Sequence, residues 1–158
     1  MPKTPEESKY RISDRFQLRL KTLIEDCDMT KKDFARAVGI SQEVIIRATV
    51  YGIVPSVKSL VKLCDFLRCP IFYLLGETEE RDFIPAQSPA TFFDRLKALT
   101  AEKGIKYSAL SHVMSFAPNS VYEWFRTNSL PSLDYLRELA GYFDVSVDYL
   151  LGRTDYRK

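Results

Sequence analysis

Apolar side chains recur along the chain at helical spacing, and no segment shows the alternation of apolar and polar residues that is typical of a strand. Near the start, one such set follows the spacing i, i+4, i+7 and i+8 and consists of Phe16, Leu20, Leu23 and Ile24. This spacing places the four side chains on one face of a helix. A second set, with the same character, consists of Leu60, Leu63, Cys64 and Leu67. The pattern predicts an all-α fold built from short amphipathic helices.

Residues that begin or end helices separate these segments. Thr30, Ser41 and Ser56 stand where a helix would start, and their hydroxyls can accept a hydrogen bond from an amide of the first turn. Gly39 stands where a left-handed residue would end a helix. With the first amphipathic segment and a short last turn around Leu74, these signals predict five helices before Gly76.

The chain also repeats itself with a period of 76 residues. Without a gap, residues 16–82 align with residues 92–158 and share 15 identical positions, whereas chance gives about four at average residue usage. The alignment closes on an identical block, in which Tyr73-Leu74-Leu75-Gly76 falls on Tyr149-Leu150-Leu151-Gly152. Two tandem copies of one five-helix unit are therefore predicted.

The repeat divides the chain into four parts. We expect an N-terminal extension over residues 1–14, a first domain over 15–76, a linker over 77–90 and a second domain over 91–158. The linker begins acidic and ends in Ile-Pro-Ala-Gln-Ser-Pro-Ala, and its prolines lack an amide donor and resist continuation of a helix.

Composition excludes several classes of protein. The 158 residues are 46% hydrophobic and 28% charged, which is typical of a globular chain and too apolar for a disordered one. No apolar run approaches the roughly 18 residues of a membrane span, and residues 1–14 hold no signal-peptide core. We therefore expect a cytoplasmic protein with no membrane partner.

Metal and catalytic chemistry also find no support in the residue pattern. Cys27, Cys64 and Cys69 lack CxxC spacing, and the single histidine, His112, lies far from them in the sequence. There is no nucleophile paired with a base and no glycine-rich phosphate loop. We expect no metal, no cofactor and no enzymatic activity.

Positive charge is concentrated in one part of the chain. The whole protein has a net charge of only +2, from 23 basic and 21 acidic residues. Residues 30–58 alone carry +3, whereas the equivalent residues of the second repeat, 106–134, carry none. The overall charge does not indicate a nucleic-acid partner, and if there is one, the local charge favours the first repeat.

A gapless run of motif residues lies between Met29 and Leu75. It consists of Thr30, Ala35, Gly39-Ile40-Ser41, Ile45, Arg47, Pro55-Ser56 and Leu74-Leu75. This run resembles the helix-turn-helix domain of the Cro/phage-repressor family, also called the xenobiotic-response-element family. The second repeat keeps the frame with Ser111, Ser115 and Val121. Because Ser115 replaces the glycine of a left-handed turn, a strain of about 1 kcal/mol is expected there.

The resemblance implies a bacterial or phage transcriptional regulator that binds double-stranded DNA. In this motif the second helix lies in the major groove, and flanking segments hold phosphates. The candidate DNA-binding residues of the first repeat are Lys31, Gln42, Glu43, Ile46 and Arg47. Those of the second repeat are Tyr107, Asn119, Tyr122, Glu123 and Arg126.

The type of side chain suggests what some of these positions read. Gln42 can pair with adenine, Arg47 with guanine, and Ile46 can contact a thymine methyl group. The two repeats carry different residues at these positions, so one chain is not expected to recognise two identical half-sites. A palindromic site would need two chains, and we therefore expect a homodimer.

A second class of function stays open. Val50, Tyr51, Ile53 and Val54 form an apolar stretch that is unusual for a solvated surface and suits association. The alternative is a protein-interaction or dimerisation module on a helix-turn-helix scaffold, resembling an antitoxin. Trp124 lies on the inward side of the motif and is interpreted as packing rather than base stacking.

Overall fold

The computed structural model describes residues 11–88 and 90–158 and is helical throughout this part of the chain. The protein divides into two compact units, Met1–Asp82 and Phe83–Lys158. In the described residues the first unit contains α1 Asp14–Asp26, α2 Lys31–Val38, α3 Gln42–Tyr51, α4 Val57–Leu67 and α5 Ile71–Leu74. The second unit contains α6 Phe92–Lys103, α7 Tyr107–Val113, α8 Ser120–Thr127, α9 Leu133–Phe143 and α10 Val147–Leu150. The all-α prediction is confirmed.

Two parts of the predicted division are only partly covered by the structure. Residues 1–10 of the predicted N-terminal extension and Pro89 of the predicted linker lie outside the described part of the chain. Within the described residues, no helix is long and apolar enough to cross a membrane.

The first four helices of the first unit, α1 to α4, begin at residues with hydroxyl side chains. Ser13, Thr30, Ser41 and Ser56 each accept a hydrogen bond from the amide three residues later. Such caps satisfy amides that have no partner inside the helix. The three caps predicted from sequence are confirmed, and Gly39 ends α2 in the left-handed conformation as predicted, with φ 87°.

The core of the first unit consists of the apolar faces of all five helices. Its largest fully buried side chains are Phe16, Leu20, Leu23, Phe34, Ile45, Leu60, Leu63, Ile71 and Leu74. Cys64 is also fully buried, with its Sγ near the carbonyl of Pro70. The face predicted for α1 is therefore the one that the structure buries.

The second unit has a core that is richer in aromatic rings. Trp124 is 8% exposed, and its ring lies edge-on to Phe116 at 5.0 Å and to Phe92 at 6.2 Å between centroids. Edge-on aromatic pairs of this kind add to the stabilisation from buried area. The interpretation of Trp124 as a packing residue is confirmed.

The turn between α7 and α8 differs from its sequence-based prediction. Ser115 does not adopt a left-handed conformation, and α7 ends at Val113 with an extended Met114 as its C-cap. The backbone N–H and hydroxyl of Ser115 donate instead to the carboxylate of Glu138, at 3.1 and 2.6 Å. The expected strain at Ser115 is wrong, because the chain takes a different path that suits a residue with a Cβ.

Residues 77–88 are hydrogen-bonded to the unit on their own side of the boundary. In the first unit, Glu79 accepts from Arg19 at 2.6 Å. In the second unit, the amide of Ala86 donates to the carbonyl of Arg153 at 2.9 Å, and the hydroxyl of Thr154 donates to the carbonyl of Ile84 at 2.8 Å. The start of this segment thus contacts the first helix of the first unit, and its end contacts the last residues of the second unit.

Candidate nucleic-acid interface

A three-residue turn connects α2 to α3, and each of the two helices buries a small side chain. The turn is Gly39-Ile40-Ser41, in which Gly39 supplies the left-handed residue and Ser41 caps α3. Ala35 and Ala48 are 2% and 1% exposed, so the two helices approach each other without large side chains at these positions. The inward face of α3 is therefore fully used in packing.

The opposite face of α3 is exposed and carries the candidate residues of the first repeat. Gln42 and Glu43 occupy the first turn, and Ile46 and Arg47 follow one turn later. All four are exposed, including Ile46 at 38%. Lys31, the first residue of α2, is exposed as well. The structure thus brings the four α3 candidates together on one helical face, with a lysine at the start of the preceding helix.

Arg47 and Glu43 form an ion pair along this face. The guanidinium Nη2 of Arg47 donates to Oε1 of Glu43 at 2.8 Å, one helical turn away. The side chains are 46% and 70% exposed, so the pair contributes only a few tenths of a kcal/mol to stability. Because loss of this pair would cost little stability, Arg47 can exchange the carboxylate of Glu43 for a stronger acceptor.

A residue that the sequence analysis missed fixes the end of α3. The side-chain amide of Gln17, on α1, donates to the carbonyls of Thr49 at 2.9 Å and Val50 at 3.0 Å. These carbonyls belong to the last turn, where no intrahelical partner exists. Gln17 is distant in sequence from both, and no sequence signal marks it.

The geometry of two packed helices with an exposed second helix is that of a known DNA-binding motif. Residues 20–74 match the helix-turn-helix family model. The match supports assignment of this region to the Cro/C1-type helix-turn-helix family. It extends from within α1 to the end of α5 and does not reach the second unit. No curated protein and no solved structure gives a significant match to the chain.

The apolar stretch after α3 of the helix-turn-helix is only partly exposed. Val50 and Tyr51 are 49% and 63% exposed. Ile53 and Val54 are half-buried, because residues 11–13 pair with residues 52–54 through an antiparallel bridge between Ile12 and Ile53. The helix-turn-helix region therefore presents Val50 and Tyr51 to solvent and covers the rest of the stretch.

The corresponding face of the second unit has a different character. Tyr107 is half-buried, with its ring 5.2 Å from that of Phe125 and 6.4 Å from that of Tyr122. Asn119 is the N-cap of α8, which begins two positions later than the repeat alignment with α3 implies. Tyr122, which is 54% exposed, and Arg126 lie on the outer face.

Arg126 forms an ion pair with the carboxylate of Glu123. Its Nε and Nη2 donate to the two oxygens of Glu123 at 3.2 and 2.6 Å. These hydrogen bonds, with the attraction between the charges, raise the pKa of Arg126 and lower the pKa of Glu123 below its ordinary range. On this face the second unit thus presents aromatic rings and the Arg126–Glu123 pair, whereas the first presents Gln42, Ile46 and the Arg47–Glu43 pair.

Proposed function

We propose that the protein is a sequence-specific transcriptional regulator, of bacterial or phage type, that binds double-stranded DNA with α3 in the major groove. One observation carries the proposal: Gln42, Ile46 and Arg47 share the exposed face of the second helix in the region that matches the helix-turn-helix family. Amide, apolar and guanidinium groups are the side chains that recognise base edges in that groove. Lys31 supplies a cation for the flanking phosphates.

The first unit supplies most of the affinity in this proposal. Its segment 30–58 carries a net charge of +3, against zero for the equivalent segment of the second unit. The second unit is a further domain of the same type, since it has five helices in the same order within the described residues. Tyr107, Asn119, Tyr122 and Arg126 contribute to DNA contacts there to a smaller extent.

The protein acts as a homodimer on a palindromic site. The two exposed helices of one chain carry different side chains, so identical half-sites are read by the first units of two chains. Val50 and Tyr51, which are exposed and apolar, support association between them.

The same exposed pair favours one alternative function. In it the protein is an interaction module on a helix-turn-helix scaffold, and Val50 and Tyr51 contact a partner protein rather than a second copy.

Selection of bound sequences from a random duplex pool tests the proposal and separates it from the alternative. We expect enrichment of one related set of sequences, with an affinity that falls steeply as salt rises, because bound cations release counterions. A pool that stays random, with salt-independent binding to protein partners, would favour the interaction module.

A further inference from the structure

The chain just before α1 is joined to the end of the candidate reading helix. The amide of Ser13 donates to the carbonyl of Gly52 at 2.9 Å, and the amide of Val54 donates to the carbonyl of Arg11 at 2.9 Å. Between them, Ile12 and Ile53 form an antiparallel bridge. Residues 11–13, here called the arm, therefore lie beside the loop that leaves α3.

The loop after α3 carries no charged side chain of its own. Segments that flank a recognition helix hold DNA phosphates, and lysine or arginine supplies most of the affinity for them. Residues 52–55 are Gly-Ile-Val-Pro and carry no charged side chain. The arm brings an exposed arginine, Arg11, to the edge of this loop.

The second unit shows that this route of the chain is specific to the first. By the period of 76 residues, Gln87 is the equivalent of Arg11. Its amide donates to the carboxylate of Asp155 at 2.9 Å, and Ala86 beside it pairs with Arg153. Within the described residues of the second unit, no β-bridge joins this segment to the loop after α8. The equivalent segment follows the end of its unit instead, and it carries no cation from Phe83 to Ser88.

We infer that the arm is part of the DNA-binding surface and that Arg11 binds a backbone phosphate next to the bases read by α3. The ligand is the phosphodiester of double-stranded DNA. Arg11 therefore supplies a cation beside a loop that has no charged residue of its own. This inference rests on the proposed function and adds a contact that the helix-turn-helix region itself does not contain.

The test measures binding of the full-length protein to the selected duplex and to a scrambled duplex by fluorescence anisotropy at several salt concentrations. Arg11→Ala should weaken binding to both duplexes by roughly threefold to tenfold and reduce the slope of log K against log salt by about 0.9, as expected for one lost phosphate contact. Arg11→Lys keeps the charge and should keep the slope. Lys21→Ala, which removes an exposed cation from α1, is the matched control and should change neither value.

Two results would overturn the inference while leaving the proposed function intact. One is an affinity and a salt slope for Arg11→Ala equal to those of Lys21→Ala. The other is a loss confined to the selected duplex, which would indicate base reading rather than phosphate binding. If the unmodified protein binds neither duplex with a steep salt dependence, the proposed function itself fails, and the arm loses its role with it.

Discussion

The hydroxyl of Ser115 donates to the carboxylate of Glu138 over 2.6 Å. The equivalent positions of the first repeat, Gly39 and Lys62, are also in contact, but there the lysine Nζ donates to the glycine carbonyl at 3.2 Å. The same pair of positions thus connects the turn to the fourth helix of each unit with opposite charge. In the first repeat the bound group is the carbonyl of a left-handed glycine, whereas at Ser115, which is not left-handed, the bound groups are the N–H and the hydroxyl.

Removal of the carboxylate should destabilise the second unit. Because Glu138 satisfies two donors of Ser115 at an exposed site, we expect Glu138→Ala to lower the free energy of unfolding by about 1 kcal/mol. Trp124 is the only tryptophan and lies in the second unit, so its fluorescence during denaturation follows that unit. Lys62→Ala is the control and should leave the tryptophan transition unchanged.

Two glycines with positive φ should differ in their tolerance of alanine. A Cβ at Gly76 would lie 2.8 Å from the carbonyl oxygen and Cβ of Arg15, whereas a Cβ at Gly39 would meet nothing within 4 Å. Gly39→Ala should cost about 1 kcal/mol, from backbone strain alone. Gly76→Ala should cost more than about 2 kcal/mol, because the overlap adds to the strain. Equal losses in thermal unfolding would contradict the close approach at Gly76.

Arg47 should dominate specific DNA binding. Loss of a good bidentate contact with a base costs about 1 to 3 kcal/mol, so Arg47→Ala should weaken binding to the selected duplex roughly tenfold or more. The loss should be smaller on a scrambled duplex, which offers no matched base. An unchanged affinity, with the helical circular dichroism spectrum intact, would remove Arg47 from the reading surface.

The stoichiometry on DNA should be two chains per palindromic duplex. Half-sites one helical turn apart, at about 34 Å, match two first units related by a two-fold axis. Analytical ultracentrifugation of the complex measures the number of chains directly. One chain on an asymmetric duplex would instead show that both units of a single chain read bases.

The ion pair on α8 should give Glu123 an acid-shifted titration. The hydrogen bonds from Arg126 lower the pKa of this carboxyl below its ordinary value of 4.5. The contribution of the pair to stability is therefore present above the unfolded-state pKa and is lost as the pH falls through the folded-state pKa. Side-chain carbon NMR should show the low midpoint, and Arg126→Ala should return it toward 4.5.

The sequence by itself determined the elements of this protein and where most of them start. Helical periodicity identified the buried face of α1, and local capping chemistry identified Thr30, Ser41 and Ser56, because both depend on residues within one or two turns. The candidate reading residues of α3 came from the resemblance to the helix-turn-helix family, because helical periodicity alone does not separate a reading residue from any other exposed residue. Their role in binding DNA stays a prediction.

Tertiary structure alone decided the contacts between residues that are far apart in the sequence. Gln17 binds carbonyls at the end of α3, and Glu138 accepts hydrogen bonds from Ser115, where a left-handed turn was expected. The arm, residues 11–13, lies beside the loop after α3. None of these follows from periodicity or from a local motif, because each depends on which polar groups the packed helices leave without a partner. These donors and acceptors pair with groups that are near in space and far in sequence, and the fold determines which ones are within reach.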